Sequence, residues 1–258
     1  MKGGYVMCLI TFKIAQDPQY KLILAANRDE AYSRPTAHAQ FWEEAPHLLA
    51  GKDLLANGTW LGITKQGKLA AITNCHQDNQ FASDPSKLSR GSIMTDYLLT
   101  DDSAESYLSK IQEKTANYQP FNVILGSVDH LYHLNSLDNQ IQLLHDGIHS
   151  VSNASLNTPW PKVERTRADL AKTNDKTINQ LFAMMMDQKP AADSQLDYLS
   201  NIPLEMKRAV SAPFIKTDAF GTRSTTLILV DYANHVTFIE RTYDGDSYSD
   251  HSFQFTIE

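Results

Sequence analysis

Strands that arrive in adjacent pairs, with helices grouped between the pairs, predict an α+β layered fold built on largely antiparallel sheet. Three observations carry this. Short runs rich in apolar and β-branched residues recur on either side of short polar turns. Helical spacing of apolar residues appears only between those pairs. The 258 residues are 42% hydrophobic and 21% charged, an ordinary composition for a chain that buries a core.

The elements follow in order. Residues 7–14 and 20–26 flank Gln16-Asp17-Pro18-Gln19 and read as a hairpin. Residues 58–64 and 68–74 repeat the pattern around Lys65-Gln66-Gly67. Segments 89–99, with Ile93, Tyr97 and Leu98, and 103–114, with Tyr107, Leu108 and Ile111, have helical periodicity. Further strand pairs are 121–128 with 130–135 and 140–144 with 147–152. Helix 160–172 has Pro159 and Pro161 around its first turn, where proline is tolerated. Helix 177–187 carries Ile178, Leu181, Phe182 and Met185. Residues 189–218 hold Pro190, Pro203 and Pro213 and are the least regular stretch. Strands 224–231 and 235–241 close the chain around Tyr232-Ala233-Asn234.

Composition excludes several functions. There are 23 Lys+Arg against 30 Asp+Glu, a net charge of −7, and no basic cluster, which argues against nucleic-acid binding. No stretch approaches the roughly 20 apolar residues of a membrane span. The apolar start is short, is interrupted by Lys13 and lacks a small-residue cleavage site, so the chain reads as a cytoplasmic protein. Residues 1–6 read as an extension before one domain, 7–258. The oligomeric state has no signature.

Cys8 and Cys75 are too few for a disulfide framework and do not form a CxxC pair. A lone cysteine is ordinarily a buried structural residue. Cys8, however, follows Met7, and a chain starting there would carry a thiol beside its own α-amine, a base titrating near neutrality. Asn27-Arg28-Asp29-Glu30 follows the second strand: Arg28 can stabilise a thiolate and Asp29 can hold an ammonium, although such a tetrapeptide is more commonly a solvated turn. Asn74, Asn153 and Arg223 stand at other strand boundaries, and an asparagine amide can donate to a developing oxyanion. One Cys, two Arg, one Asp and two Asn at strand ends form an acyl-transfer set, expected to converge on one cleft.

Met7-Cys8-Leu9-Ile10, Asn27-Arg28-Asp29-Glu30, Gly58-Thr59-Trp60-Leu61-Gly62, Ala71-Ile72-Thr73-Asn74, Ser152-Asn153-Ala154 with Thr158-Pro159-Trp160-Pro161-Lys162, and Gly221-Thr222-Arg223 resemble the NRDE family, or transport and Golgi organisation protein 2 family. That family in turn resembles the cysteine N-terminal-nucleophile hydrolases. The resemblance implies a four-layer αββα sandwich with Cys8 as nucleophile, Asp29 as amine-binding carboxylate, Asn74 and Asn153 as oxyanion and active-site amides, and Arg223 as the late arginine. Arg28 adjoins the aspartate, whereas the hydrolases carry their early arginine three residues before it. The implied activity is hydrolysis of a C–N amide on a hydrophobic acyl substrate, with no cofactor required. The alternative it implies is a non-catalytic carrier of haem or of acyl-lipid or acyl-CoA, binding a small hydrophobic or amphipathic ligand in the same pocket. For haem, His76 and the His145/His149 pair are the axial-ligand candidates, and Met184-Met185-Met186 could line a pocket, though each has an ordinary structural explanation.

Overall fold

A computed structural model describes residues 7–75, 84, 86–172, 178–200 and 202–258. The chain runs β1 (Leu9–Ile14), β2 (Tyr20–Ala31), β3 (Thr36–Trp42), β4 (Ala45–Asp53), β5 (Leu61–Thr64), β6 (Lys68–Asn74), α1 (Gly91–Leu99), α2 (Ala104–Gln112), β7 (Phe121–Ser127), β8 (His130–Asn135), β9 (Gln140–Leu143) and β10 (Gly147–Val151). It continues through α3 (Pro161–Ala171), α4 (Ile178–Met185), α5 (Leu204–Val210), β11 (Phe220–Asp231), β12 (His235–Asp244) and β13 (Ser247–Thr256).

The strands form two sheets, a six-stranded one in the order β10-β1-β2-β11-β12-β13 and a seven-stranded one running β3 to β9 in sequence. Every named pairing is antiparallel. Alternation along the strands builds the layers. Ile10, Phe12, Leu22, Leu24 and Ile228 meet Leu49, Ile63, Leu69 and Ile124 between the sheets. On the outer face of the seven-stranded sheet, Leu48, Ala70, Val123 and Leu125 pack under Ile93, Met94 and Leu98 of α1 and Leu108 of α2. On the outer face of the other, Leu9, Ile23, Ala25 and Leu227 pack under Val163 and Leu170 of α3 and Leu181 and Met185 of α4. The architecture is αββα, as expected.

Two expectations are corrected. Residues 140–144 and 147–152 are not a strand pair: β9 pairs with β8, and β10 crosses to the other sheet to pair with β1. Both segments have apolar content, but only Ser150 and Val151 of β10 are buried, and β9 is mostly exposed. Asn27-Arg28-Asp29-Glu30 is not a turn beyond the second strand. It lies inside β2, whose length pairs with β11. Polar residues are tolerated there because the pairing satisfies their backbone while their side chains find buried partners.

Candidate active site

The site forms where the start of β1, the polar half of β2 and the end of β6 meet. Even-numbered residues of β1 and β2 face the space between the sheets, odd-numbered ones the α3–α4 layer. By that alternation Cys8 and Arg28 share the inter-sheet side. The pairing Leu9↔Asn27 continues toward Cys8 opposite Arg28 and residue 7 opposite Asp29. The Cys8 Sγ accepts from the Asp29 amide at 3.4 Å and donates to the Asp29 carbonyl at 3.6 Å. Its own carbonyl accepts from Ser152 Oγ at 2.7 Å. Burial, then the Asp29 charge, push the thiol up to about 12, although the Asp29 amide and the Arg28 charge act in the opposite sense.

Cys8 opens into a cavity of about 340 Å³ whose lining includes Arg28, Asp29, Trp60, Ile72, Asn74 and Arg90. Arg28 is buried, with its guanidinium carbon 4.2 Å from the Trp60 ring centroid. It donates to Thr36 Oγ1 at 3.2 Å and lies 3.8 Å from Glu30 and 3.7 Å from Asp53. Asp53 takes a closer ion pair from Arg34 at 2.6 Å. Apolar surface stands at the mouth, where Leu88 lines the cavity and is exposed.

Asp29 is fully buried. Thr222 Oγ1 donates to its Oδ1 at 2.6 Å, while Oδ2 has no hydrogen-bond partner among the described residues. Burial raises the carboxyl to about 7 against the opposing charge of Lys162. Lys162, in the first turn of α3, is also fully buried and donates to the Met7 carbonyl at 2.6 Å. Burial brings its ammonium down to about 8 against the pull of Asp29 and Cys8. The Met7 side chain fills an apolar socket of Leu199, Ile202, Val210, Ile215 and Phe220.

Of the six residues singled out from sequence, Cys8, Arg28, Asp29 and Asn74 line the one cavity. Asn153 lies beneath it, fully buried, donating from Nδ2 to the Asn74 carbonyl at 2.9 Å, so it braces the strand that carries Asn74. Arg223 does not join them. It is the extra residue of a bulge, since Asp29 pairs with Thr222 and Arg28 with Ser224. The bulge turns its guanidinium onto the carbonyls of Ala31, Tyr32 and Arg34. It lines an adjacent cavity of about 240 Å³ with His38, Glu240 and Tyr243, and Arg28 and Trp60 line both cavities.

Lys162, Arg90 and Thr222 join the site without a chemical signal in the sequence. Lys162 sits in a Trp-Pro-Lys run that carries only the family resemblance, and a lysine on a helix gives no sign that it is buried. His76 and residues 1–6 lie outside the described residues. His149 Nε2 is 2.8 Å from the His145 carbonyl, and neither histidine lines the Cys8 cavity. Met184 and Met185 are core residues of the α3–α4 layer.

A family model described as Transport and Golgi organisation 2 matches residues 7–245. The mouse protein called Transport and Golgi organization 2 homolog is 34% identical over 282 residues, covering 98% of this chain and 100% of that protein. The human homolog gives the same figures, and the Drosophila melanogaster protein is 27% identical over 275 residues, covering 93% of each. Among solved structures, a Caenorhabditis elegans N-acylethanolamine-hydrolyzing acid amidase ortholog aligns with a TM-score of 0.47 at 9% identity, covering 86% of this chain and 92% of that one. A mutant conjugated bile acid hydrolase from Clostridium perfringens aligns with a TM-score of 0.34 at 9% identity, covering 100% and 92%.

Proposed function

Since the chain belongs to the Transport and Golgi organisation 2 family, we propose that its site is a cysteine amidohydrolase centre for a C–N amide of a hydrophobic acyl substrate. The observation that carries this reading is the pairing of Cys8 Sγ with the Asp29 backbone while the buried Asp29 Oδ2 stands without a partner among the described residues. A buried carboxylate oxygen in that state is costly, and the ammonium of a chain beginning at Cys8 is the donor that would satisfy it. In such a chain the α-amine takes the thiol proton and the thiolate adds to the amide carbonyl. Asn74 donates to the oxyanion, and the protonated amine returns its proton to the departing nitrogen. Water then cleaves the thioester and restores the thiol. Trp60, Ile72 and Leu88 offer an apolar wall for the acyl group, and Arg28, Arg34 and Arg90 a polar rim for the rest of the ligand.

With Met7 attached, residue 8 has an amide nitrogen, which is no base. That observation, with the thiol pushed up to about 12, favours the binding reading for the extended chain: a haem, acyl-lipid or acyl-CoA carrier using the same cavity. The test is expression from Met7 against the full chain. Removal of the initiator methionine should appear as an intact-mass shift. It should bring a more alkylatable thiol near neutral pH and turnover of N-acyl amides that the full chain lacks. Equal thiol reactivity and equal activity in both forms defeat the amidohydrolase reading. A strong Soret band with one-to-one haem, and no turnover in either form, selects the carrier.

A further inference from the structure

Arg223 and Glu240 are charged groups for which the proposed chemistry has no use, and both line the second cavity, of about 240 Å³. By strand alternation Ser224, Glu240 and Thr242 take the inter-sheet side, as Ile228 and Phe238 do. Thr36 and His38 of β3 close the cavity from the other sheet. Glu240 is buried and its Oε1 accepts from the Ala39 amide at 2.6 Å. Burial pushes its carboxyl up, against the Ala39 amide and the Arg28 charge. Ser224 Oγ, also buried, neighbours that carboxyl yet lacks a partner at hydrogen-bond geometry among the described residues.

Arg223 gives Nη1 to the carbonyls of Ala31, Tyr32 and Arg34, which leaves Nη2 and Nε with no acceptor among the described residues. Neither Arg223 nor Glu240 forms an ion pair there, although their neighbours Arg28 and Arg241 do. A cation and a buried anion that share one cavity without a partner are costly, and they match a ligand that carries both charges. A simple anion would meet Glu240, and a simple cation would meet Arg28 and Arg223. We propose that this cavity binds a small zwitterionic α-amino acid, its carboxylate taken by Arg223 and Ser224 and its ammonium by Glu240. The volume is below the roughly 300–1,000 Å³ of a drug-sized pocket, so only a small side chain is accommodated. His38 lines the cavity and is exposed, which gives access from solvent. Arg28 and Trp60 form the wall between this site and Cys8. Cleavage of an N-acyl amino acid at Cys8 would release such a zwitterion, but the site takes it from solution whether or not Cys8 is catalytic.

The experiment is a saturation-transfer NMR titration of the full chain with glycine, L-alanine and L-serine, each to about 10 mM, which reveals millimolar affinity. At least one should bind. The N-acetyl derivative of that amino acid lacks the ammonium and its methyl ester lacks the carboxylate, and each should bind about tenfold more weakly or worse. Glu240→Gln, which keeps an acceptor for the Ala39 amide, should weaken binding by about tenfold, and Ser224→Ala by about threefold. Should Glu240→Gln fail to fold, Ser224→Ala and the two derivatives carry the test. The same titration on Cys8→Ala should return the wild-type affinity, which separates this site from the amidohydrolase reading. No binding of any of the three amino acids, or an N-acetyl derivative or methyl ester that binds as tightly as the free amino acid, would overturn the proposal. Unchanged affinity in a folded Glu240→Gln would do the same.

Discussion

The two helical layers are built on opposite principles. The α1–α2 layer meets its sheet through Ile93, Met94, Leu98, Leu108 and Ile111, and Tyr107, buried within it, simply donates to the Ile93 carbonyl at 2.8 Å. The layer of α3, α4 and α5 buries polar groups against the strands of the site. Thr11 contacts both Ser150 and Thr166 at 2.8 Å, and Asn27 donates to the carbonyls of Met185 and Pro213 at 2.8 Å each. Lys162 and Asp29 lie there too. Both layers bury an apolar core, but only the second adds buried polar contacts to β1, which begins beside Cys8, and to β2, which carries Asp29.

The largest expected effect tests the cavity itself. Cys8→Ala should reduce any turnover by at least about 10³-fold while ligand affinity stays within about 1 kcal/mol, because only the transition state needs the nucleophile. Loss of haem retention in that variant, without amidase activity in the parent, would instead mark Cys8 as a ligand. On the other side of the comparison, Leu108→Ala in α2 should cost about 2–5 kcal/mol of unfolding free energy, the range for a buried leucine. Denaturant titration measures the loss, and Cys8 alkylation should be unchanged. A shift in thiol reactivity there would erase the division between the layers.

His133 sharpens the comparison from the seven-stranded sheet, where a polar network does reach the site. Its Nδ1 accepts from Gln142 Nε2 and its Nε2 donates to Asn122 Oδ1, both at 3.1 Å. Asn122 in turn donates to Thr73 Oγ1 at 3.2 Å, next to Asn74. This arrangement requires the neutral ring, and burial, aided by His149, brings the imidazole down to about 4. The unfolded chain takes up its proton near pH 6.5 and the folded chain only near 4. Stability therefore falls as the pH drops through that window and levels off below it, by about 3 kcal/mol in all. His133→Gln should flatten that part of a stability–pH curve measured by urea titration. An unchanged slope would show that the histidine is protonated in the fold.

Much of this was legible in the residues. Hairpins with clear polar turns, such as 58–74 and 224–241, and the periodic helices of both layers stand where the pattern puts them. β13 was invisible because its residues, Ser247 to Thr256, form an exposed edge in which Phe253 and Phe255 alternate with polar residues too weakly to signal a strand. β3 and β4 escaped for a related reason: β3 is broken by register shifts against β4, so no clean alternation survives in sequence. At the site, the cysteine, the aspartate and Asn74 could be read because each ends or crosses a strand. The displacement of Arg223 could not, since a bulge is a matter of pairing register. Lys162 was hidden because burial of a helical lysine depends on what the chain before β1 brings to it, here the Met7 carbonyl.

The smallest effect concerns the wall between the two cavities. Trp60 lines both and stacks on Arg28, and its ring is held against the backbone of Gly51 in β4. A Cβ at Gly51 would stand 2.3 Å from Trp60 Cη2 and 2.5 Å from Cζ2, so the ring has to move, while the Ala37 carbonyl at 3.3 Å limits the strand's own retreat. Gly51→Ala should therefore cost about 1–3 kcal/mol, the usual range for overpacking. It should also shift tryptophan fluorescence as Trp60 leaves the guanidinium. Freed from the ring, Arg28 loses a fixed position beside Cys8, and because its charge favours the thiolate, alkylation of Cys8 should slow at constant pH. A destabilised variant with unchanged fluorescence and unchanged thiol reactivity would mean that the strand yields and the wall stays, and the Arg28–Trp60 stack would then have no influence on the cysteine.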